Sequence, residues 1–457
     1  MKEKTKQILM IIGFILIVAI VAVLIWFLFF KSINNQNQNS NTNQNSNTNQ
    51  NNTGKLTPSG NNTNSGVPIN TGTDTTGNNT TGLTPDQIKN IINKNNGQDL
   101  NNIGNNTGTV TGGKITDVPQ KEGDVANGGN VYTNTITNYP TLNSTVSGKN
   151  LITFNTNDGG FYKIDPTTGI SSLLTQDKFK GASNITWSPL SDKAIIEFPD
   201  GSNVTYDFNK DKQYTLPKDW YDFSFQKDGE KIAFMIDSNN YKDRWLSVSS
   251  PDGSNFSAIE PLGDNADKVT VAYSPNEQMI AMSRTGEPIG GLMQQVLLIG
   301  LNNENFKALE VEGRGFHPIW SPAGDKVVYD AFNADTSYNP NLWVVNAKPD
   351  TIGTYSRNLG IATWVSKCGF DSTGQYLYCG VPRPDGLPTG FGLLPETVND
   401  GSFYDDIYKI NIYSGYSELI AKPIPDVSIE SLYVSSDNSL LYYKDRKTGY
   451  VYSMKLK

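Results

Sequence analysis

The hydrophobic pattern divides the chain into three regimes. Ile8 to Phe30 is an unbroken apolar run, residues 34–54 contain only Asn, Gln, Ser, Thr and Gly, and from about Val131 short β-branched and aromatic runs alternate with Gly, Pro and Asp. The third regime repeats. Its clearest unit is Ile319-Trp320-Ser321-Pro322-Ala323-Gly324-Asp325-Lys326-Val327-Val328-Tyr329. Pro presets φ, Gly tolerates positive φ and the β-branched pair favours extended chain, so two antiparallel strands meet at a tight turn. A single hairpin is marginal in water.

Copies of the unit are Trp187-Ser188-Pro189 with Ala194-Ile195-Ile196, Phe225 to Gly229 with Ile232-Ala233-Phe234, and Tyr273-Ser274-Pro275 with Met279-Ile280-Ala281. Phe370 to Gly374 with Tyr376-Leu377-Tyr378, and Val434 to Asn438 with Leu440-Leu441-Tyr442, continue the series; Ser147-Gly148 with Leu151-Ile152-Thr153-Phe154 is a degenerate first copy. Further runs follow each hairpin, as in Phe161 to Asp165 and then Ile170 to Leu174. Small antiparallel sheets repeating every 40–50 residues or so cannot bury both faces alone and must stack. They predict an all-β, seven-bladed β-propeller over residues 131–457, with six blades as the alternative because the first copy lacks the turn aromatic. The last unit stops one strand short. The segment Val131-Tyr132-Thr133-Asn134-Thr135-Ile136-Thr137 is expected to supply that outer strand and close the ring.

The Trp-Ser-Pro-x-Gly turn, the Ile-Ala-Phe-like strand, and Asp406-Ile407-Tyr408-Lys409-Ile410 followed by Ser414-Gly415 resemble the repeats of TolB-type and WD40-type β-propellers. The resemblance covers residues 131–457 and implies the fold; propellers carry many unrelated activities. The run Lys367-Cys368-Gly369-Phe370 with Tyr378-Cys379-Gly380-Val381-Pro382 is also similar to propellers of bacterial envelope proteins that carry one anchor.

The first regime is long enough as a helix to cross a hydrocarbon core of about 30 Å. It exits through Trp26-Phe27-Leu28-Phe29-Phe30-Lys31 without a small-residue cleavage site, so residues 8–30 read as an uncleaved transmembrane helix rather than a removed signal. Lys2, Lys4 and Lys6 precede the run and only Lys31 follows it closely, which predicts a cytoplasmic tail over residues 1–7 and an extracytoplasmic remainder. Residues 31–130 read as a disordered Asn/Thr/Gly-rich linker, because such sequence has no apolar surface to offset the entropy of ordering. It is interrupted by a short helix at 84–95. There Thr84 suits the N-cap, Pro85 the first turn and Gln87 a capping box, while Ile88, Ile91 and Ile92 share a face. This helix is transient or rests on the propeller, with partner docking as the alternative.

Cys368 and Cys379 fall where other units place the apolar pairs Ile185 with Ile196, Phe223 with Phe234, Val271 with Met282, and Leu432 with Tyr443. They should face each other across adjacent strands as a disulfide in an oxidising compartment, with buried free thiols as the alternative. The recurrent turn aromatics read as packing residues. Enzyme motifs are sparse. His317 is the single histidine, which excludes a multi-histidine metal site and leaves one candidate base. Gly-x-Ser-x-Gly, Walker, Rossmann, EF-hand and paired Cys-x-x-Cys signatures are missing. Asp405 and Asp406 read as solvated loop residues. Nine of 37 basic and seven of 45 acidic residues lie in the first 130, leaving the propeller at net −10. That disfavours nucleic acid as a partner.

Loops between second and third strands swell at Asp237 to Arg244, Ser283 to Gln295, Asp330 to Asn341 and Pro382 to Phe403, and share a face with loops entering inner strands, such as Glu312 to Pro318. Long loops on a rigid scaffold suit binding. Arg284, Arg314, His317, Tyr338, Arg383, Asp385 and Phe391 are the contact candidates by loop position and side-chain type. The reading is a membrane-anchored extracytoplasmic propeller that binds or scaffolds a protein partner in the cell envelope, without catalysis, cofactor or metal. The alternative is a glycan hydrolase or lyase with carboxylates at the channel mouth. Oligomeric state is not readable. Deleting residues 83–97 is expected to leave the propeller's melting temperature unchanged; a large drop in a thermal melt would show that the helix is part of the folded unit.

Overall fold

The structure, a computed structural model, describes residues 124–290, 293–302, 304, 306–383 and 403–456, the side chains of 286–288 excepted. The expected anchor, linker and 84–95 helix, together with Asp385 and Phe391, lie outside the described residues. Among those described, no helix is long and apolar enough to cross a membrane.

The strands form seven sheets, one per predicted unit, so the degenerate first copy is a true blade. Blade 1 comprises Thr145–Ser147, Asn150–Asn155, Gly160–Ile164 and Ser171–Leu173. Blade 4 comprises Val269–Val271, Met279–Ile289, Met293–Gly300 and Leu309–Glu312, and blade 5 Arg314–Trp320, Lys326–Phe332, Asn341–Asn346 and Arg357–Asn358. Blade 6 runs through Cys368–Phe370, Tyr376–Pro382, Asp405–Asn411 and Ser417–Ile424, and blade 7 through Ile429–Val434, Leu440–Asp445 and Val451–Lys455.

The repeated turn has a local cause. The amides of Ser188, Ser274, Ser321, Asp371 and Ser435 each donate to the carbonyl five residues on, at 2.8–2.9 Å. Their side chains accept in return from the amides of Lys193, Met279, Lys326, Tyr376 and Leu440. Three residues into each turn the chain is left-handed, at Ser191, Glu277, Gly324, Gly374 and Asn438. An oxygen-bearing side chain and a residue tolerant of positive φ are therefore what this turn requires.

Blades seal through their inner strands. Trp187 Nε1 donates to Asn143 O of blade 1's side at 2.8 Å, and Trp320 Nε1 to Ala272 O of blade 4's side at 2.9 Å, so these two turn aromatics, expected to pack, also hydrogen-bond across seams. Cys368 and Cys379 pair directly in register and form a disulfide, with Cα atoms 4.1 Å apart. The glycines beside them let blade 7 approach: a Cβ on Gly369 would lie 2.5 Å from Leu432 O, and one on Gly380 2.9 Å from Ile429 Cβ.

Three readings need correction. Val271 faces Ala281 rather than Met282, because the Tyr273 amide leaves the ladder to donate to Ser224 Oγ on the inner strand Trp220–Phe225 of the preceding blade and the register slips by one. The expected loop at Ser283 to Gln295 is instead the extension of a long hairpin, with Arg284 opposite Val296 and Ile289 opposite Met293. Glu312 to Pro318 likewise is mostly strand, broken only at Gly313.

Closure uses the predicted segment, but divides it. Asn134–Thr135 pairs antiparallel with Ser453 and Tyr452 as the fourth strand of blade 7, and the Ile136 and Thr137 amides donate to Val451 O. Asn130–Tyr132 instead pairs parallel with Lys422–Ile424 as a fifth strand of blade 6. Before it, the Ala126 amide reaches Lys455 O of blade 7 and the Gly128 amide Ile420 O of blade 6. One strap thus crosses the 6–7 seam repeatedly, and Val131 is fully buried with Ile407, Ala421 and Tyr443. Val131→Ala is expected to destabilise the protein by roughly 1–3 kcal/mol in urea unfolding, and deleting 124–137 by far more; an unchanged midpoint for both would contradict this closure.

Candidate functional site

Antiparallel order puts the turns between first and second and between third and fourth strands on one face of the ring, and the second–third loops with the inter-blade connections on the other. Arg284, Arg314, His317, Tyr338 and Arg383 all belong to the latter face, on blades 4 to 6. Arg284 donates through Nη2 to Asp267 O at 3.1 Å. Arg314 opens the inner strand of blade 5, exposed and opposite Phe332.

His317 sits on the same strand directly opposite Asp330, its Nδ1 2.9 Å from Asp330 Oδ1. Asp330 is buried, and its second oxygen accepts the Val365 amide of blade 6 at 2.9 Å. The carboxylate therefore orients the imidazole and ties two blades at once. Tyr338 follows in the loop between second and third strands, where its amide donates to Asn333 O at 2.8 Å and its backbone is left-handed. Its side chain is exposed. Arg314, His317 and Tyr338 thus gather at one end of blade 5.

Arg383 is engaged rather than free. Its Nε donates to Asp406 and its Nη1 to Asp426, both at 2.7 Å. Burial works against its charge, but the two carboxylates hold the guanidinium above its ordinary range.

Residue-type reasoning missed the strongest electrostatic feature of this face. Asp405 and Asp406 are not solvated: they begin the third strand of blade 6, both buried. Lys367 Nζ donates to both oxygens of Asp405 at 3.0 and 2.9 Å, with each side chain wholly out of solvent. Asp405 Oδ2 also accepts the Ile429 amide of blade 7 at 2.6 Å. The ammonium lies 4.4 Å from the Phe403 ring centroid and 5.3 Å from that of Trp364, and those two rings stack. Burial pushes the Asp405 carboxyl up and the Lys367 ammonium down, each only partly countered by the other's charge. Only the distant pairing of Lys367 makes Asp405 tolerable inside, and nothing in the local sequence announces it.

Among the described residues, no three of His, Cys, Asp and Glu converge in a way that could hold a metal ion. At its blade 5 end the face offers an oriented imidazole at His317 and the exposed Arg314, Tyr338 and Asp335. Of its buried acids, Asp330 and Asp405 are bound into blade seams and Asp406 is held by Arg383.

No protein-family model matches the chain, and no curated protein sequence does. Among solved structures it is similar to the β-propeller domain of Cps50 (Swd1) from Myceliophteria thermophila, at 11% identity over 71% of this chain and 100% of that one, with a TM-score of 0.48. An oligogalacturonate lyase in complex with manganese is 14% identical over 71% of this chain and 92% of that one, with a TM-score of 0.48. An oligogalacturonate lyase from Vibrio parahaemolyticus is 10% identical over 71% and 93%, with a TM-score of 0.42.

Breaking a buried ion pair costs about 3–5 kcal/mol, whereas removing both charges is often near neutral. Lys367→Met is therefore expected to destabilise more than Lys367→Met with Asp405→Asn, since Asn still accepts from Ile429. In the single variant Asp405 keeps a raised pKa when folded, so the folded state binds more protons than the unfolded one and stability falls as pH rises above about 4. Urea unfolding of both variants from pH 4 to 8 tests this; a double variant weaker than the single, or a flat pH profile for the single, would contradict it.

Proposed function

We propose that the protein is a single-pass membrane protein that presents its propeller outside the membrane as a binding or scaffolding module for a protein partner of the cell envelope. The observation that carries the binding reading is the distribution of polar groups on the blade 4–6 face. Asp330, Asp405, Asp406 and Asp426 are held by His317, Lys367 and Arg383, while Arg314 and Tyr338 stand in solvent. Exposed Arg and Tyr on a rigid scaffold suit a protein-recognition surface, with Asp335 of the same loop also in solvent. The extracytoplasmic setting rests on the apolar run Ile8 to Phe30, the lysines before it and the TolB-like repeats; the Cys368–Cys379 bond supports it, because disulfides persist in oxidising compartments.

The rival reading, a glycan hydrolase or lyase, has one observation in its favour. His317 held by the buried Asp330 is an imidazole oriented as a general base would be. The buried acids of the same face, Asp405 and Asp406, are held by Lys367 and Arg383.

Crosslinked capture from envelope extracts with the full-length chain separates the two. The wild type is expected to retain a discrete protein that Arg314→Ala with Tyr338→Ala releases, while His317→Gln captures it normally. Equal capture by the double variant would sink the face assignment, and glycan cleavage abolished by His317→Gln would establish the rival.

A further inference from the structure

The opposite face carries a second, chemically different surface. There the turn at residues 411–416 of blade 6 packs on blade 5. Tyr355 donates its hydroxyl to Tyr413 O, and Arg357 donates from Nη1 to Ser414 O. Lys326 Nζ lies 5.5 Å from the Tyr355 ring centroid and 5.2 Å from that of Tyr413, and the Arg357 guanidinium 5.3 Å from that of Tyr355. Despite these contacts the rings stay in solvent: Tyr355 is 40% exposed, Tyr413 49% and Tyr416 67%. Tyr416 is the most exposed large hydrophobic residue among those described.

Two features select the occupant. The exposed large hydrophobics of these turns are all tyrosines, with no aliphatic residue among them, so the patch lacks the continuous apolar centre of a protein interface. Flat rings with polar rims instead match sugars, whose C–H face is apolar and whose edge is hydroxylated. The local charge is the second feature. Lys326 is pinned by Asn346 Oδ1 at 2.5 Å and lies 3.7 Å from Asp325, whereas Arg357 contacts the Ser414 carbonyl and the Tyr355 ring. Among the described residues no carboxylate pairs with Arg357, so although the propeller as a whole is net −10 this spot is locally complementary to an anionic group, which a guanidinium can grip bidentately through carboxylate or phosphate.

We propose that Tyr355, Tyr413, Tyr416 and Arg357 form a binding surface for an acidic polysaccharide, the rings stacking on sugar faces and Arg357 reading the acid groups. It lies on the face away from Arg314 and Tyr338, so the propeller would hold a glycan and a protein on opposite faces.

Binding of the full-length chain to immobilised alginate, to a glycerol-phosphate teichoic acid and to neutral dextran tests it. The wild type is expected to bind alginate, and dextran at least about tenfold more weakly, a difference of roughly 1.4 kcal/mol; binding to the teichoic acid alone, whose backbone has no sugar ring, would overturn the stacking. Tyr416→Ala with Tyr413→Ala, and separately Arg357→Gln, should each weaken binding of the acidic polymer at least about tenfold without lowering the melting temperature. Binding to neither acidic polymer, equal binding to dextran, or variants that bind like the wild type would overturn the proposal. Loss by Arg314→Ala with Tyr338→Ala would overturn it too, by placing the glycan on the other face.

Discussion

Everything in this structure depends on closing the ring. A four-stranded sheet with two apolar faces gains nothing by folding alone; seven of them are stable when each face meets another and no end is left open. The last seam therefore has to be made by strands far apart in sequence. The chain makes it with one strap, residues 124–137, whose Asn134–Thr135 pairs antiparallel with Tyr452 and Ser453 as blade 7's outer strand before the chain runs on into blade 1. Just before, the strap pairs parallel with Lys422 to Ile424 and buries Val131 at the neighbouring 6–7 seam. Pairing with two blades ties the closing sheet to its predecessor and shares the closure between two ladders.

The same demand recurs at the other seams and shapes the electrostatics. Asp222 accepts the Val271 amide of blade 4, Asp330 the Val365 amide of blade 6 and Asp405 the Ile429 amide of blade 7. In each case a carboxylate of one blade satisfies the amide that enters, or stands in, the next blade's inner strand, where the ladder offers no partner. Lys367 answers the burial of Asp405, and His317 lies against Asp330. Acids that would look catalytic in a list of residues are here fasteners. The side chains proposed for recognition are Arg314 and Tyr338 on one face and, on the other, the Tyr355–Tyr413–Tyr416 patch, whose rings stay in solvent although Tyr355 also ties blade 5 to blade 6.

How much of this is legible in the sequence follows from range. The turn is local, an oxygen-bearing side chain and a positive-φ position within six residues, so its copies and the seven blades can be read directly. The Cys368–Cys379 pairing is legible because the offset across a short hairpin is constant. The register at Val271 is not, because Tyr273 breaks step to reach Ser224, 49 residues earlier. Asp405 is misread as solvated because its counter-ion is 38 residues away, and the engagement of Arg383, a contact candidate by loop position, is hidden because Asp406 and Asp426 are 23 and 43 residues away. The split of the closing segment is also hidden, since a parallel strand added to blade 6 leaves no mark in the pattern of residues 130–132. Loop position placed Arg314, His317 and Tyr338 on one face without distant partners being known.

Native-state hydrogen exchange reads the closure most directly. If the strap completes the ring, the amides of residues 451–455 and 422–424 exchange as slowly as those of residues 279–284 in blade 4, all limited by global unfolding. Exchange on the timescale of fraying edge strands at 451–455, with blade 4 still protected, would mean that the ring stands open at this seam.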